Sequence, residues 1–288
     1  MIHTIKSLVA GGLLLATTGC ATTDTGRAIA LVEEDRDQEA LVYLERSAQA
    51  GSKYAALLAS FLYLSGDQIP ADFDSAEKYL KLARSLEDVH QGQVIDYFTV
   101  LAESQWMFYD GDPANDETAA NLLRSDNYAD YAPALRLLGT AYGFGIGVER
   151  NHRLSKLLYE RAIEHDDGST AKSHYAWWLV AHPDENYRNP PHSQRLLNEI
   201  MTDSEWPDHP IDYKITAAIF AANGDFDQAL HYQGEGIQRL KVLEDNSANF
   251  HRQLASYRCL ERAYGHRIAW HYEPEDTPFD YHAITPCR

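Results

Sequence analysis

The chain has 288 residues, 44% hydrophobic and 24% charged, a balance that supports a packed core and excludes disorder as the default state. Its 43 acidic against 25 basic residues leave a formal charge of −18, which repels nucleic-acid phosphates and excludes a nucleic-acid binder. Only three cysteines occur, Cys20, Cys259 and Cys287, too few for a Cys-only zinc site or a disulfide-framework miniprotein.

The first element is a short positive start (the amino terminus and Lys6), an apolar run from Leu8 to Ala16, and small residues leading to Cys20. This order reads as a signal peptide, because the run is interrupted by Gly11 and Gly12 and falls well short of the roughly 20 residues that span a bilayer. Thr17, Thr18, Gly19 and Cys20 resemble the lipobox of a bacterial lipoprotein, although Thr17 replaces the usual leucine. The resemblance implies removal of residues 1–19 and a lipidated Cys20 as the new amino terminus. Ala21, in place of an aspartate, implies the periplasmic side of the outer membrane. Ordinary secretion with cleavage nearby is the alternative. Residues 20–26 then form a polar tether.

Beyond the tether, apolar residues recur at helical spacing. Ala55, Leu58, Ala59 and Leu62 share one face, as do Ala76, Tyr79, Leu80 and Ala83, and again Leu135, Leu138, Ala141 and Tyr142. Turn signals at Gly66, Gly111, Gly145, His182–Pro183 and Gly224 lie about 34 to 45 residues apart, the period of a helical-hairpin array. No run alternates with period two for long enough to propose a strand. Prolines 183, 190, 191, 207 and 210 mark an insert over 183–210 with one short helix, Ser193 to Met201. A last helix over Phe250 to Ala269 would cap the array, and prolines 274, 278 and 286 imply an extended tail over 273–288.

The clearest repeat runs from Ala134 through Leu138-Gly139, Tyr142 and the Gly145-Ile-Gly147-Val148 turn to Arg161-Ala162. It resembles a Sel1-like repeat, with a looser copy in Ala55, Ala59, Tyr63, Gly66, Ala76, Tyr79 and Ala83. Ala217, Phe220, Gly224, Asp225, Phe226 and Ala229 resemble the core of a tetratricopeptide repeat, from which Gln233 and Gly236 depart. Both resemblances imply one all-α architecture, a right-handed superhelical solenoid of antiparallel helix pairs. Sel1-like repeats would occupy 27–182, and a tetratricopeptide-like repeat with the capping helix 211–272.

Catalytic patterns fail on order or context. Gly143 to Gly147 follows a helix rather than a strand, so it reads as an inter-helix turn and not a phosphate loop. Ser169-Thr-Ala-Lys172 and Ser125-Asp126-Asn127 match two motifs of penicillin-recognising serine enzymes, but in reversed order and without Lys-Thr-Gly; Ser169 reads instead as a helix N-cap. Asp110, Asp112, Asn115 and Asp116 lack the glycine and glutamate of a calcium loop, because Asn115 and Asn121 stand there. His266 and His271 are five apart and do not share a helix face, and His165 sits at a turn, so no metal or other cofactor is expected.

Cys259 and Cys287 would be left as two thiols in an oxidising compartment, and a bridge between them would tie the tail to the capping helix; two independent thiols are the alternative. Adjacent Trp177 and Trp178 point about 100° apart on a helix, so one could line a partner-binding groove, while packing of both against different neighbours is the other reading. The expected function is a lipid-anchored scaffold or adaptor for an envelope protein or peptide, of basic character, in envelope assembly or exopolysaccharide export. The alternative is an envelope hydrolase acting on cell-wall or β-lactam substrates.

Overall fold

The computed structural model describes residues 24–34, 36–65, 69, 72–86, 93–109, 112–165, 169–202, 206–207, 209–242 and 248–271. Among them are thirteen α-helices and no strand. They divide into two compact units, Met1–Ala129 with Ile146–Val148 and Asp130–Gly145 with Glu149–Arg288.

The first unit holds α1 (Asp24–Glu33), α2 (Asp37–Gln49), α3 (Lys53–Ser65), α4 (Phe73–Ser85), α5 (Gln93–Tyr109) and α6 (Pro113–Leu123). They pair in sequence as α1/α2, α3/α4 and α5/α6, antiparallel because the connections are short. The second unit holds α7 (Ala132–Phe144), α8 (His152–His165), α9 (Ser169–Ala181), α10 (Pro190–Ile200), α11 (Pro210–Ala222), α12 (Phe226–Val242) and α13 (Ala248–Gly265). Its pairs are α7/α8, α9/α10 and α11/α12, and α13 packs on α12.

The two helices of a pair differ in kind. α3 buries Ala55 through Ala59 together with Phe61, Leu62 and Leu64, apolar nearly all round, as befits a helix enclosed by neighbours. Its partner α4 buries one stripe, Ala76, Tyr79, Leu80 and Ala83, and starts at Asp72, whose carboxylate accepts from the Ser75 N–H at 3.0 Å. In the second unit α7, α9 and α11 repeat the enclosed pattern, while α8, α10 and α12 repeat the stripe. α9 touches both α7 and α11, so the enclosed helices form one row.

Of the 143–147 segment, Gly143 and Phe144 still belong to α7, and the inter-helix turn begins at Gly145. Gly145 closes α7 at φ +76°, donating to the Ala141 carbonyl at 2.8 Å, a left-handed cap that glycine adopts without strain. Gly147 follows at φ +61°, and a Cβ there would collide with the Asp116 carbonyl.

Residues 183–210 do not merely interrupt the array. Their helix begins at Pro190 rather than Ser193, and it is the hairpin partner of α9. Asn189 caps it, accepting from the His192 N–H at 3.1 Å, and prolines 190 and 191 fit the first turn because their missing N–H groups would be unpaired there anyway. The departures at 233 and 236 also have a reason. A Cβ at Gly236 would lie 2.9 Å from Tyr213 Cβ, and buried Gln233 donates to the Tyr257 carbonyl at 2.9 Å, so α12 closes on α11 and binds α13. The final helix ends at Gly265, four residues before the expected Ala269, and the tail over 273–288 lies outside the described residues.

Candidate functional site

A grouping of polar and aromatic side chains in the second unit forms where α8, α9 and α10 meet. Trp178 and His182 are four apart at the end of α9, one helical turn, and their rings meet edge to face at 4.6 Å. Tyr187, on a 3₁₀ turn at Glu185–Tyr187, packs on both, at 5.8 Å from Trp178 and 5.0 Å from His182. His152, the first residue of α8, completes the cluster 5.2 Å from Tyr187.

The two histidines are hydrogen-bonded to each other. His182 Nε2 lies 3.0 Å from His152 Nδ1, and His182 Nδ1 lies 3.0 Å from both the N–H and the carbonyl oxygen of Asp184. One hydrogen fits between facing ring nitrogens, so one ring must donate and the other accept. Burial lowers the His182 pKa to about 4, and the neighbouring His152 adds to the effect. Burial and Arg150 lower that of His152, against the opposing pull of Asp184 and a hydrogen bond to the Gly143 backbone. Both rings are therefore neutral near pH 7 and tie the α9 end to the start of α8.

Beside this cluster opens a cleft of ≈ 530 Å³ counting its open mouth, with Leu179 and Tyr175 on its α9 side. Lys156 contributes from α8, Asn186 through Asn189 from the loop, and His192 from α10. Tyr175 donates to Glu160 at 3.1 Å and stacks on Tyr159 at 5.6 Å. Burial, together with Glu160, raises its phenol pKa far above the ordinary range. His192 stands edge-on to Tyr175 at 5.6 Å, its pKa lowered chiefly by burial.

The residues singled out by sequence fall elsewhere or are buried. Trp177 and Trp178 are only 3% and 2% exposed, so neither lines a partner-binding groove. Two rings about a quarter-turn apart on an enclosed helix meet two different neighbours: Trp177 stacks on Trp270 at 5.8 Å with Lys214 Nζ 5.5 Å from its centroid, and Trp178 serves the histidine cluster. Ser169 does not cap α9; it is the first helical residue, and its buried hydroxyl has no side-chain or backbone partner. Lys172 pairs with Glu199 at 3.1 Å, away from any serine-activating role. Asp112 caps α6, accepting from the Ala114 N–H at 3.0 Å; Asp110 lies outside the described residues. His165 lies 3.3 Å from Asp130.

Cys259 is buried on α13 and disulfide-bonded, while Cys20 and Cys287 both lie outside the described residues, so its pairing with Cys287 and the lipidation of Cys20 rest on sequence. Among the described residues no group of three or more His, Cys, Asp and Glu could hold a metal ion, and no helix is long and apolar enough to cross a membrane.

Sequence reasoning missed the cleft because its residues lie on three elements, including the segment read as an insert. The available signal was Trp178 and His182 at helical spacing with aromatic Tyr187 close behind.

The Sel1 repeat family matches at residues 25–52, 53–88 and 132–167, which are α1/α2, α3/α4 and α7/α8. No curated protein matches the chain. A similar solved structure is the crystal structure of a protective antigen present in uropathogenic Escherichia coli strains displaying an SLR fold, at 13% identity and a TM-score of 0.35 over 88% of this chain. The match spans 62% of that protein's length.

Proposed function

We propose that this chain is a lipid-anchored, non-catalytic scaffold of the bacterial envelope, held by Cys20 on the periplasmic side of the outer membrane and binding an envelope protein or peptide. The observation that carries the reading is the three Sel1 repeat matches, because Sel1 repeats mediate protein–protein interaction and stacked helix pairs offer extended binding surfaces. The net charge of −18 favours a basic partner and long-range steering that salt screens. A role in envelope assembly or exopolysaccharide export fits such a scaffold. The serine-hydrolase reading has no support in the placement of Ser169 and Lys172.

Crosslinking in intact envelopes followed by affinity capture tests the proposal. The wild-type chain should sediment with outer membranes and capture a defined protein, whereas Cys20→Ser should be unprocessed or leave the membrane fraction. A normally processed Cys20→Ser chain that still sediments with outer membranes overturns the anchor. A covalent penicillin adduct lost in Ser169→Ala overturns the non-catalytic reading.

A further inference from the structure

We infer that the cleft between α8, α9 and α10 is a binding site for a small monoanionic carboxylate that carries further hydrogen-bond acceptors beside the charge. The inference does not depend on the scaffold reading. It begins with two cations facing one cleft on a strongly acidic chain. Lys156 Nζ lies 3.7 Å from Glu160, and Arg188 lies 4.0 Å from Glu185, which is itself 83% exposed. Both separations exceed hydrogen-bond length, so each cation retains donor capacity that a ligand carboxylate can take up. An arginine fork binds carboxylate through two parallel bonds.

The other polar groups of the cleft also include donors. The Asn189 carbonyl oxygen is occupied by the His192 N–H, which leaves its amide N–H₂ for a ligand. Tyr187 adds a hydroxyl and His192 a neutral ring at the rim. A bare carboxylate such as acetate would leave these groups without partners, and unmatched polar groups in a cleft cost binding. A hydroxyl- or carbonyl-bearing acid would match them. The volume suits a small ligand, and the acidic field of the whole chain disfavours a polyanion.

The walls are already in place. Asn189 N–H donates to the Leu179 carbonyl at 2.8 Å, and the Asp184 carboxylate holds both the backbone and the side chain of Asn186 at 2.9 and 2.8 Å. Tyr187 is fixed by Trp178, His182 and His152. Ligand binding therefore has little loop ordering to oppose it.

Two chemical sources share this description, an acidic sugar and an N-acylated amino acid with an uncharged side chain. Calorimetric titration of the full chain with glucuronate, N-acetylalanine, glucose and acetate separates them. Saturable binding of at least one of the first two is expected, with glucose and acetate at least about tenfold weaker; the tighter of the two identifies the source. Arg188→Gln and Lys156→Gln should each weaken binding by about tenfold or more, as loss of a charge-assisted contact does, and the thermal midpoint of each variant, measured alongside, should stay above the titration temperature so that the loss reports the site and not unfolding. Glu185→Gln should bind as well as wild type or better. No binding of either acid at millimolar concentration, glucose binding as tightly as glucuronate, or full affinity in Arg188→Gln each overturns the site.

Discussion

Glycines two positions apart on α12 have opposite jobs. Nothing lies within 4 Å of a Cβ built on Gly234, whereas one on Gly236 would meet Tyr213 Cβ at 2.9 Å. Gly234→Ala should raise stability by about 0.4–1 kcal/mol by restricting the unfolded chain, and Gly236→Ala should lower it by about 1–3 kcal/mol through overpacking. Chemical denaturation of the two variants checks the pair, and equal effects would contradict the close approach of α11 and α12. The His152–His182 contact makes a second prediction at this scale. The folded His182 pKa, about 4, lies below its ordinary 6.5, so between these values the unfolded chain binds a proton that the folded chain rejects. Stability is full above about pH 6.5, falls as pH drops toward 4, and levels off below it as far as this group is concerned. Denaturation midpoints across that window should decline more steeply in wild type than in His182→Gln; parallel declines would show that the pair does not resist protonation.

A serine staple recurs at the scale of the helix pair. Ser155, in the first turn of α8, donates to the Gly139 carbonyl of α7 at 2.6 Å, and Ser193, in the first turn of α10, donates to the Ala176 carbonyl of α9 at 2.8 Å. Both hydroxyls are buried, and a small residue at 139 and 176 lets the two helices approach. The α9/α10 pair thus copies the joint of the α7/α8 repeat, although the family match stops at residue 167. Ser155→Ala and Ser193→Ala should each cost about 0.5–1.5 kcal/mol, the net worth of one hydrogen bond; a measurable loss at Ser155 with none at Ser193 would separate the two pairs. Removing the Asp112 cap of α6 by Asp112→Ala should cost about 0.5–2 kcal/mol, seen as a lower thermal midpoint, whereas Ser169→Ala removes a buried hydroxyl that caps nothing and should cost less.

For the whole molecule, the tail and the charge carry the expectations. If Cys259 is bridged to Cys287, nonreducing peptide mapping should recover that linked pair, and Cys287→Ser should lose about 3 kcal/mol or more from loop closure in the unfolded state. Freely alkylated Cys287 in protein taken from the periplasm would exclude the bridge. The helical character of the chain was legible in sequence because a 3.6-residue period writes itself into local spacing: the faces Ala55–Leu58–Ala59–Leu62 and Ala76–Tyr79–Leu80–Ala83 are buried as read. The glycine turn that starts at Gly145 was legible for a similar reason, since the left-handed backbone at Gly145 and Gly147 demands glycine locally, although Gly143 and Phe144 remain helical. What only tertiary structure decided depends on residues far apart in the chain. Periodicity places Trp177 and Trp178 on a helix but is silent about what surrounds it, and because α9 is enclosed by α7, α10 and α11 both indoles are buried. The same enclosure turned the proline-rich segment into a hairpin partner, joined His152 to His182 across 30 residues, and brought Lys156, Arg188 and His192 to one cleft, a convergence set by packing between helices rather than by any local pattern.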